Sequence, residues 1–178
     1  MSLFAIIFIL LVVYQLKHFL ADYIFQGEYM LGKFKPGWVF LRPLLAHVGV
    51  HAGMTFIIAV IAFQRLDPGM VVRAGVSYAL CVAFFDAFVH FFMDRLKASP
   101  RYMGRWKPVT AAEYIDAKSI IGQTSDGWHR LHPSVITEAR KQLRGNRNFW
   151  WALGLDQAVH HLTHYVCIYF ILKLAGVL

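Results

Sequence analysis

Residues 156–178 read DQAVHHLTHYVCIYFILKLAGVL. Asp156, His160 and His164 recur at i, i+4 and i+8, so a helix places them on one face, with Gln157 and His161 beside them. The stripe runs directly into an apolar stretch. Its meaning depends on whether other segments carry the same pattern at the same depth, and three do. Residues 3–26 open with LFAIIFILLVVY and then carry Gln15, His18, Asp22 and Gln26, which at 100° per residue fall within about 80° of one another. Residues 40–64 carry His47 and His51, spaced i,i+4. Residues 70–97 carry Asp86, His90 and Asp94 at i, i+4 and i+8, with Lys97 on the same face.

Composition sets the environment of these stripes. The chain has 178 residues, of which 58% are hydrophobic and 16% charged, and its mean hydropathy is +0.49. A soluble domain carries about a quarter charged residues. The apolar excess lies in four blocks, the pattern of an integral membrane protein. The first block has no basic segment before it and no small-x-small cleavage site after it, so it reads as a retained helix. The expected fold is all-α. It is a polytopic membrane protein, a four-transmembrane-helix bundle in a single membrane domain over 1–178, with spans at about 3–26, 40–64, 70–97 and 149–177. A long basic helical loop, about 98–148, joins the third and fourth spans.

Within that loop, Thr110-Ala-Ala-Glu113 has the form of a capping box opening a short helix around EYIDAKSII. GQTSDGWHRLH (122–132) reads as turn and loop. A second short helix is expected after Pro133 in PSVITEARKQLRG, stopping at Gly145. Trp38, Trp150 and Trp151 flank expected helix starts, where interfacial aromatics belong. Cys81 and Cys167 lie in apolar helices and read as small core residues rather than a disulfide pair.

The net charge of +8 is unevenly placed. Residues 95–148 hold eleven Lys/Arg against four acids, and the 27–42 connection holds Lys33, Lys35 and Arg42 against Glu28. The 64–73 turn has only Arg65 and Arg73 with Asp67. The positive-inside rule puts both basic connections in the cytoplasm, both termini outside, and the chain in the inner (cytoplasmic) membrane. No nucleic-acid recognition motif accompanies the basic loop, so its charge is assigned to topology and to contact with membrane lipid, not to nucleic acid.

In spans one and three the polar stripe is C-terminal; in spans two and four it is N-terminal. Alternation of antiparallel helices therefore places all four stripes at one side, the cytoplasmic one. The other halves offer only Tyr14, Thr55, Ser77, Tyr78, Tyr169 and Lys173. An ionisable group at membrane depth costs roughly 2.5–3.5 kcal/mol and marks function by default. A merely solvated face would draw on Lys, Glu, Ser and Asn, whereas these faces use His, Asp and Gln. Imidazole and carboxylate at i,i+4 on facing helices is how bundles build buried metal sites. The expected ligands are His18, Asp22, His47, His51, His90, Asp94, His160 and His164, for a divalent ion best fitted by Zn²⁺, with Mn²⁺ or Fe²⁺ next. Asp86 and Asp156 are expected as general base or as the carboxylate that orients a ligand, and Lys97 with the loop arginines as the hold on a phosphate or other anionic headgroup. His129 and His132 lack the helical spacing and read as surface residues.

The series HFLADYIFQ (18–26), HVGVH (47–51), HFFMDRLK (90–97) and DQAVHHLTH (156–164) resembles a bacterial and phage family of small membrane proteins known as a domain of unknown function. More loosely, it is similar to membrane-bound proteins described as metal-dependent hydrolases. The resemblance spans all four apolar segments but not the basic loop. It implies metal-dependent hydrolysis and supplies no substrate.

The expected function is therefore a metal-dependent hydrolase at the cytoplasmic membrane face, acting on a lipid or phosphorylated substrate. Two alternatives stand beside it. HHLTH and HVGVH are similar to the histidine boxes of membrane desaturases, which implies a non-haem di-iron hydroxylase, although a second H-x-x-H-H is missing. A non-catalytic adaptor, with the polar layer as a structural metal staple, accounts better for the basic loop. Haem ligation would not set Asp beside His at every turn. Transport would need polar groups through the full depth.

Overall fold

A computed structural model of the chain describes residues 2–35, 37–98, 111–125 and 132–178; these are helical and contain no strand. Helix α1, Leu3–Phe19, starts where the Ser2 hydroxyl accepts from the Ala5 N–H at 3.3 Å. No Gly or Pro interrupts the chain before Gly27, and the helix passes straight into a π turn over Leu20–Ile24. That turn closes with the Phe25 N–H donating to the Leu20 carbonyl at 2.8 Å. A short α2, Glu28–Leu31, and a 3₁₀ turn, Gly32–Phe34, follow where the sequence shows only a connection.

Helix α3 is Leu41–Leu66, with Pro43 in its first turn, where a missing N–H costs nothing. It ends at Asp67-Pro68-Gly69, and the Asp67 carboxylate accepts from the Gly69 N–H at 3.1 Å. Helix α4 is Val72–Ala98, and α5 is Ala111–Ser125. Helix α6 runs unbroken from Pro133 to Leu174. It ends in a Schellman motif: Gly176, at φ +68°, lets the Val177 N–H reach the Leu172 carbonyl at 2.9 Å.

Two local expectations are corrected here. Gly145 does not stop a helix. It lies inside α6, because a helix-interior glycine costs only about 1 kcal/mol and no proline follows to break the chain. Trp150 and Trp151 are consequently in mid-helix and not at a helix start. The expected turn over 122–132 gives way to α5 as far as Ser125, and Thr110 and His129 lie outside the described residues.

The chain forms two compact units, Met1–Ser99 with Ala158–Leu178, and Pro100–Gln157. In the first, α3 packs chiefly on α4. An apolar core gathers Leu10 of α1, Phe63 of α3, Val82 of α4, and Ile171 and Leu172 of α6. Small residues, Ala59, Ala62 and Ala79, let the helices approach closely at that level. The outward faces are apolar too: Phe4, Phe8, Phe84, Phe88 and Phe92 are exposed. Among the described residues, three helical segments are long and apolar enough to cross a membrane, Leu3–Ile24, Leu41–Leu66 and Val72–Lys97. Apolar side chains facing both inward and outward are the mark of a membrane-embedded protein, whose outer surface meets lipid instead of water.

The 3₁₀ turn is held by a close approach. A Cβ on Gly32 would lie 2.8 Å from Pro43 Cγ, a rigid ring carbon. Gly32→Ala is therefore expected to lower the thermal midpoint in detergent, at a cost of about 1–3 kcal/mol. Gly49→Ala, where the added carbon meets nothing within 4 Å, is expected to be neutral or slightly stabilising. Equal midpoints for the two variants would refute the account of the turn.

Candidate metal centre

The site begins with where the helices place their polar faces. Tyr14 and His18 are one turn apart on α1; His47, His51 and Thr55 follow one another along α3; Asp86, His90 and Asp94 do so along α4; His160 and His164 do so on α6. All of these residues are buried.

His18 is the hub. Its ring centroid lies 5.8 Å from His51, 6.3 Å from His90, 5.3 Å from His160 and 5.4 Å from His164. His90 packs against both His51 and His160, each 4.0 Å away by centroid, and is nearly parallel to His160 at 12°. His161, half-buried, adds a ring 5.5 Å from His18. So many imidazoles in one dry volume are costly to bury unless each finds a donor, an acceptor or a cation.

Two groups of donor atoms come within 4.8 Å of one another in this unit: His18, His90 and His164, and His18, Asp22 and His51. In the second group, His18 Nε2 is 3.2 Å from Asp22 Oδ2 and His51 Nε2 is 2.9 Å from Asp22 Oδ1. His47 Nε2 is 3.5 Å from the same Oδ1. Ligands about 2.0–2.1 Å from a tetrahedral ion stand about 3.3 Å apart, so the spacing that serves an imidazole–carboxylate hydrogen bond here also suits Zn²⁺. The turn that carries Asp22 is the π turn of Leu20–Ile24, a distortion that commonly marks functional sites.

Asp86 organises the other side. Its Oδ2 accepts from Lys17 Nζ at 2.8 Å and from the Thr55 hydroxyl at 2.6 Å, and its Oδ1 lies 3.2 Å from His90 Nδ1. His90 Nδ1 is also 3.0 Å from the Asp86 carbonyl oxygen. A carbonyl only accepts, so Nδ1 carries the proton and Nε2 presents its lone pair. That Nε2 is buried with no hydrogen-bond partner among the described residues. Lys17 also donates to His164 Nε2 at 3.3 Å.

A third node lies toward the 3₁₀ turn. His47 Nε2 is 3.0 Å from Asp94 Oδ2, and Lys33 Nζ meets the same oxygen at 3.2 Å while donating to Gln26 Oε1 at 3.0 Å. Arg95 stacks over the Phe40 ring at 3.5 Å nearby on α4.

The eight expected ligands thus fall in one unit, with His18, Asp22, His51, His90 and His164 forming the donor groups, His160 stacked on His90, and His47 bridging to Asp94. Asp86 stands with them. Asp156 belongs to the other unit, where its Oδ2 accepts from Gln157 Nε2 at 3.2 Å. Lys97 is half-buried, three residues beyond Asp94, and the cations that meet the cluster's carboxylates are Lys17 and Lys33. His132 sits before α6, exposed, with its Nδ1 2.7 Å from the Ser134 hydroxyl.

Four participants were not legible as site residues. Lys17 lies 100° away from His18 on the helix, off the polar stripe, and reaches the site through its long stem; a lysine deep in an apolar run is the signal that marks it. Lys33 gave no such signal, because only the fold of the turn brings it to Asp94. Tyr14 and Thr55, assigned above to the bare half, instead border the cluster: the Tyr14 ring is 5.1 Å from His164, and Thr55 donates to Asp86.

A scan against protein-family models finds no match for the chain, and comparisons with curated proteins and with solved structures find none either. Function therefore rests on the chemistry of the site itself.

Lys17→Met would leave the buried Asp86 carboxylate without its cation, beside only Thr55 and the imidazoles of His90 and His164, and is expected to cost about 3–5 kcal/mol. Adding Asp86→Asn removes the stranded charge and should recover most of that loss, read as a double-mutant cycle of thermal midpoints in detergent. Additive losses would mean that the two residues are not coupled.

Proposed function

We propose that the protein is a membrane-embedded, metal-dependent hydrolase working at the cytoplasmic face. The observation that carries this reading is the convergence of His18, His51, His90, His164 and Asp22, from four helices, with a lone-pair nitrogen of His90 left without a hydrogen-bond partner among the described residues. His18, Asp22 and His51 would hold one ion, and His18, His90 and His164 offer an adjoining position. Zn²⁺ suits the imidazole and carboxylate donors best, with Mn²⁺ or Fe²⁺ next. A divalent ion held there supplies a Lewis acid that acidifies water and polarises a carbonyl or phosphoryl oxygen.

The chain's own residues have separable parts. Asp86 fixes the tautomer of His90 through its carbonyl oxygen and is a positioning residue, with Lys17 and Thr55 both on its Oδ2. Lys17 balances its charge. Asp22 is the most exposed of the carboxylates Asp22, Asp86 and Asp94, at 16% against 0% and 3%, and would act as a ligand between His18 and His51. A lipid or phosphorylated substrate fits a site at the membrane face. In this reading, residues 149–177 form a fourth span, the termini lie outside, and the basic connections lie in the cytoplasm of a cell bounded by that inner membrane. The resemblance of the four histidine segments to metal-dependent hydrolases of membranes points the same way.

A second reading is a non-haem di-iron oxidase. It is favoured by the two donor groups that share His18, which offer room for two ions. Elemental analysis separates the two. About one or two zinc or manganese per chain is expected in the wild type, falling to near zero in His18→Ala, which removes the donor common to both groups. Chelation should abolish hydrolysis of phospholipid or acyl-ester substrates, and zinc should restore it. Iron, with oxygen consumption, would install the second reading; no metal in folded wild-type protein would end both.

Orientation has its own test. In a Cys81→Ser, Cys167→Ser background, Ser2→Cys is expected to react with a membrane-impermeant maleimide on intact cells. Lys118→Cys should react only after lysis. The reverse pattern would invert the topology.

A further inference from the structure

The unit Pro100–Gln157 contains the first half of α6. At 100° per residue, Arg140, Arg144, Arg147 and Trp151 fall within about 60° of one another, forming one stripe down the helix. All four are exposed. Arg147 stacks its guanidinium 4.8 Å above the Trp151 ring. Arg140 and Arg144 have no acidic partner among the described residues, whereas Lys141, off the stripe, pairs with Glu138 at 3.6 Å. A cavity of about 760 Å³ opens beside the stripe, lined by Leu143, Arg144, Asn146, Arg147, Asn148 and Trp150. Guanidinium and amide donors around an open cavity, walled on one side by an indole, make a receptor for a phosphate on an amphipathic carrier.

We infer that this stripe and cavity form a binding site for the phosphate headgroup of an anionic phospholipid. Charge complementarity selects the occupant. Three exposed arginines with no acidic partner among the described residues call for a concentrated negative partner, and Arg presents planar paired donors that match phosphate oxygens. The tryptophans narrow the choice to a membrane surface. Trp150 and Trp151, 60% and 57% exposed, adjoin the arginines at the end of the stripe from which α6 continues toward its apolar C-terminal part, and indoles seat at the headgroup level of a bilayer. A loop whose charge only set topology would need no such order. Its cations could be lysines scattered on any face, and the off-stripe Lys118 and Lys141 are of that kind.

The test uses the full-length protein in detergent, titrated with phosphatidylglycerol, with phosphatidylcholine and with inorganic phosphate. Thermal midpoints and lipid retained in native mass spectra are the readouts. Phosphatidylglycerol is expected to raise the midpoint saturably and to be retained; phosphatidylcholine and inorganic phosphate are expected to do neither. Arg140→Gln, Arg144→Gln, Arg147→Gln in combination should weaken that binding about 100-fold, at about one factor of five per cation near a charged surface. Should the triple variant fail to fold, two charge-matched doubles decide the matter. Arg144→Gln with Arg147→Gln should weaken binding more than tenfold, and Lys118→Gln with Lys141→Gln by less than threefold. Equal loss in the two doubles would reduce the effect to bulk charge and overturn the site. Stabilisation by inorganic phosphate alone, or tighter binding of a single-stranded RNA than of the lipid, would overturn the assignment of the occupant. None of these results depends on whether the histidine cluster binds metal.

Discussion

Asp86 is the point on which the polar layer depends. A carboxylate with no exposure, set in a helix whose neighbours are phenylalanine and alanine, cannot persist as an anion without compensation. Lys17 supplies the opposite charge, Thr55 a hydroxyl, and His90 an N–H. Each of these comes from a different turn or helix, so satisfying one group fixes the relative positions of α1, α3 and α4. Lys17 then extends the constraint to α6 by its contact with His164. The pair is not a source of net stability in itself, since a well-packed apolar replacement can do as well. What it provides is a unique register among helices that are otherwise greasy on every side and could slide past one another.

That register is what brings the imidazoles into a common volume. His90 illustrates the sequence of causes. Its Nδ1 is committed to the carbonyl and carboxylate of Asp86 one turn earlier, which turns Nε2 away from the backbone. Its ring then packs against both His51 and His160. The result is a buried imidazole nitrogen of fixed tautomer and orientation, the condition that histidine ligands in metal sites normally reach through a carboxylate behind the ring. On the other side, the π turn inserts into the end of α1 and presents Asp22 between His18 and His51.

Much of this was legible in the sequence, and the residues show why. The i,i+4 spacing of His47 with His51, and of Asp86, His90 and Asp94, is preserved because regular helices form over these apolar runs, with Gly49 tolerated between the two histidines of α3. Antiparallel alternation was enough to bring the stripes of different segments to one level. What sequence periodicity could not give was reach. Lys17 lies off the stripe, and only its stem length lets it turn inward; Lys33 depends on a 3₁₀ turn whose placement rests on Gly32 fitting under Pro43. Asp22 appears in register on an ideal helix, yet it sits in a π turn that no residue pattern announces. Gly145 misled in the other direction, because a weak local preference was set against a long helix whose flanking residues all favour continuation.

The two halves of the first unit also divide the energetic work. The apolar core of Leu10, Phe63, Val82, Ile171 and Leu172 contains nothing that must be kept polar, and its alanines allow close helix contact. The polar half buries a lysine pair, two carboxylates, Asp86 and Asp94, and a set of imidazoles, with Asp22 half-buried beside them, a combination that favours helix separation unless its members are paired. A dense apolar half holds the helices together while the polar half carries its buried charges in paired contacts. Tyr14 and Thr55 mark the seam: each is fully buried, and each turns its polar atom or ring toward the cluster while its neighbours one turn farther along pack apolar. Stability and binding chemistry are thus stacked along the same four helical segments, and a change at the seam would be felt in both.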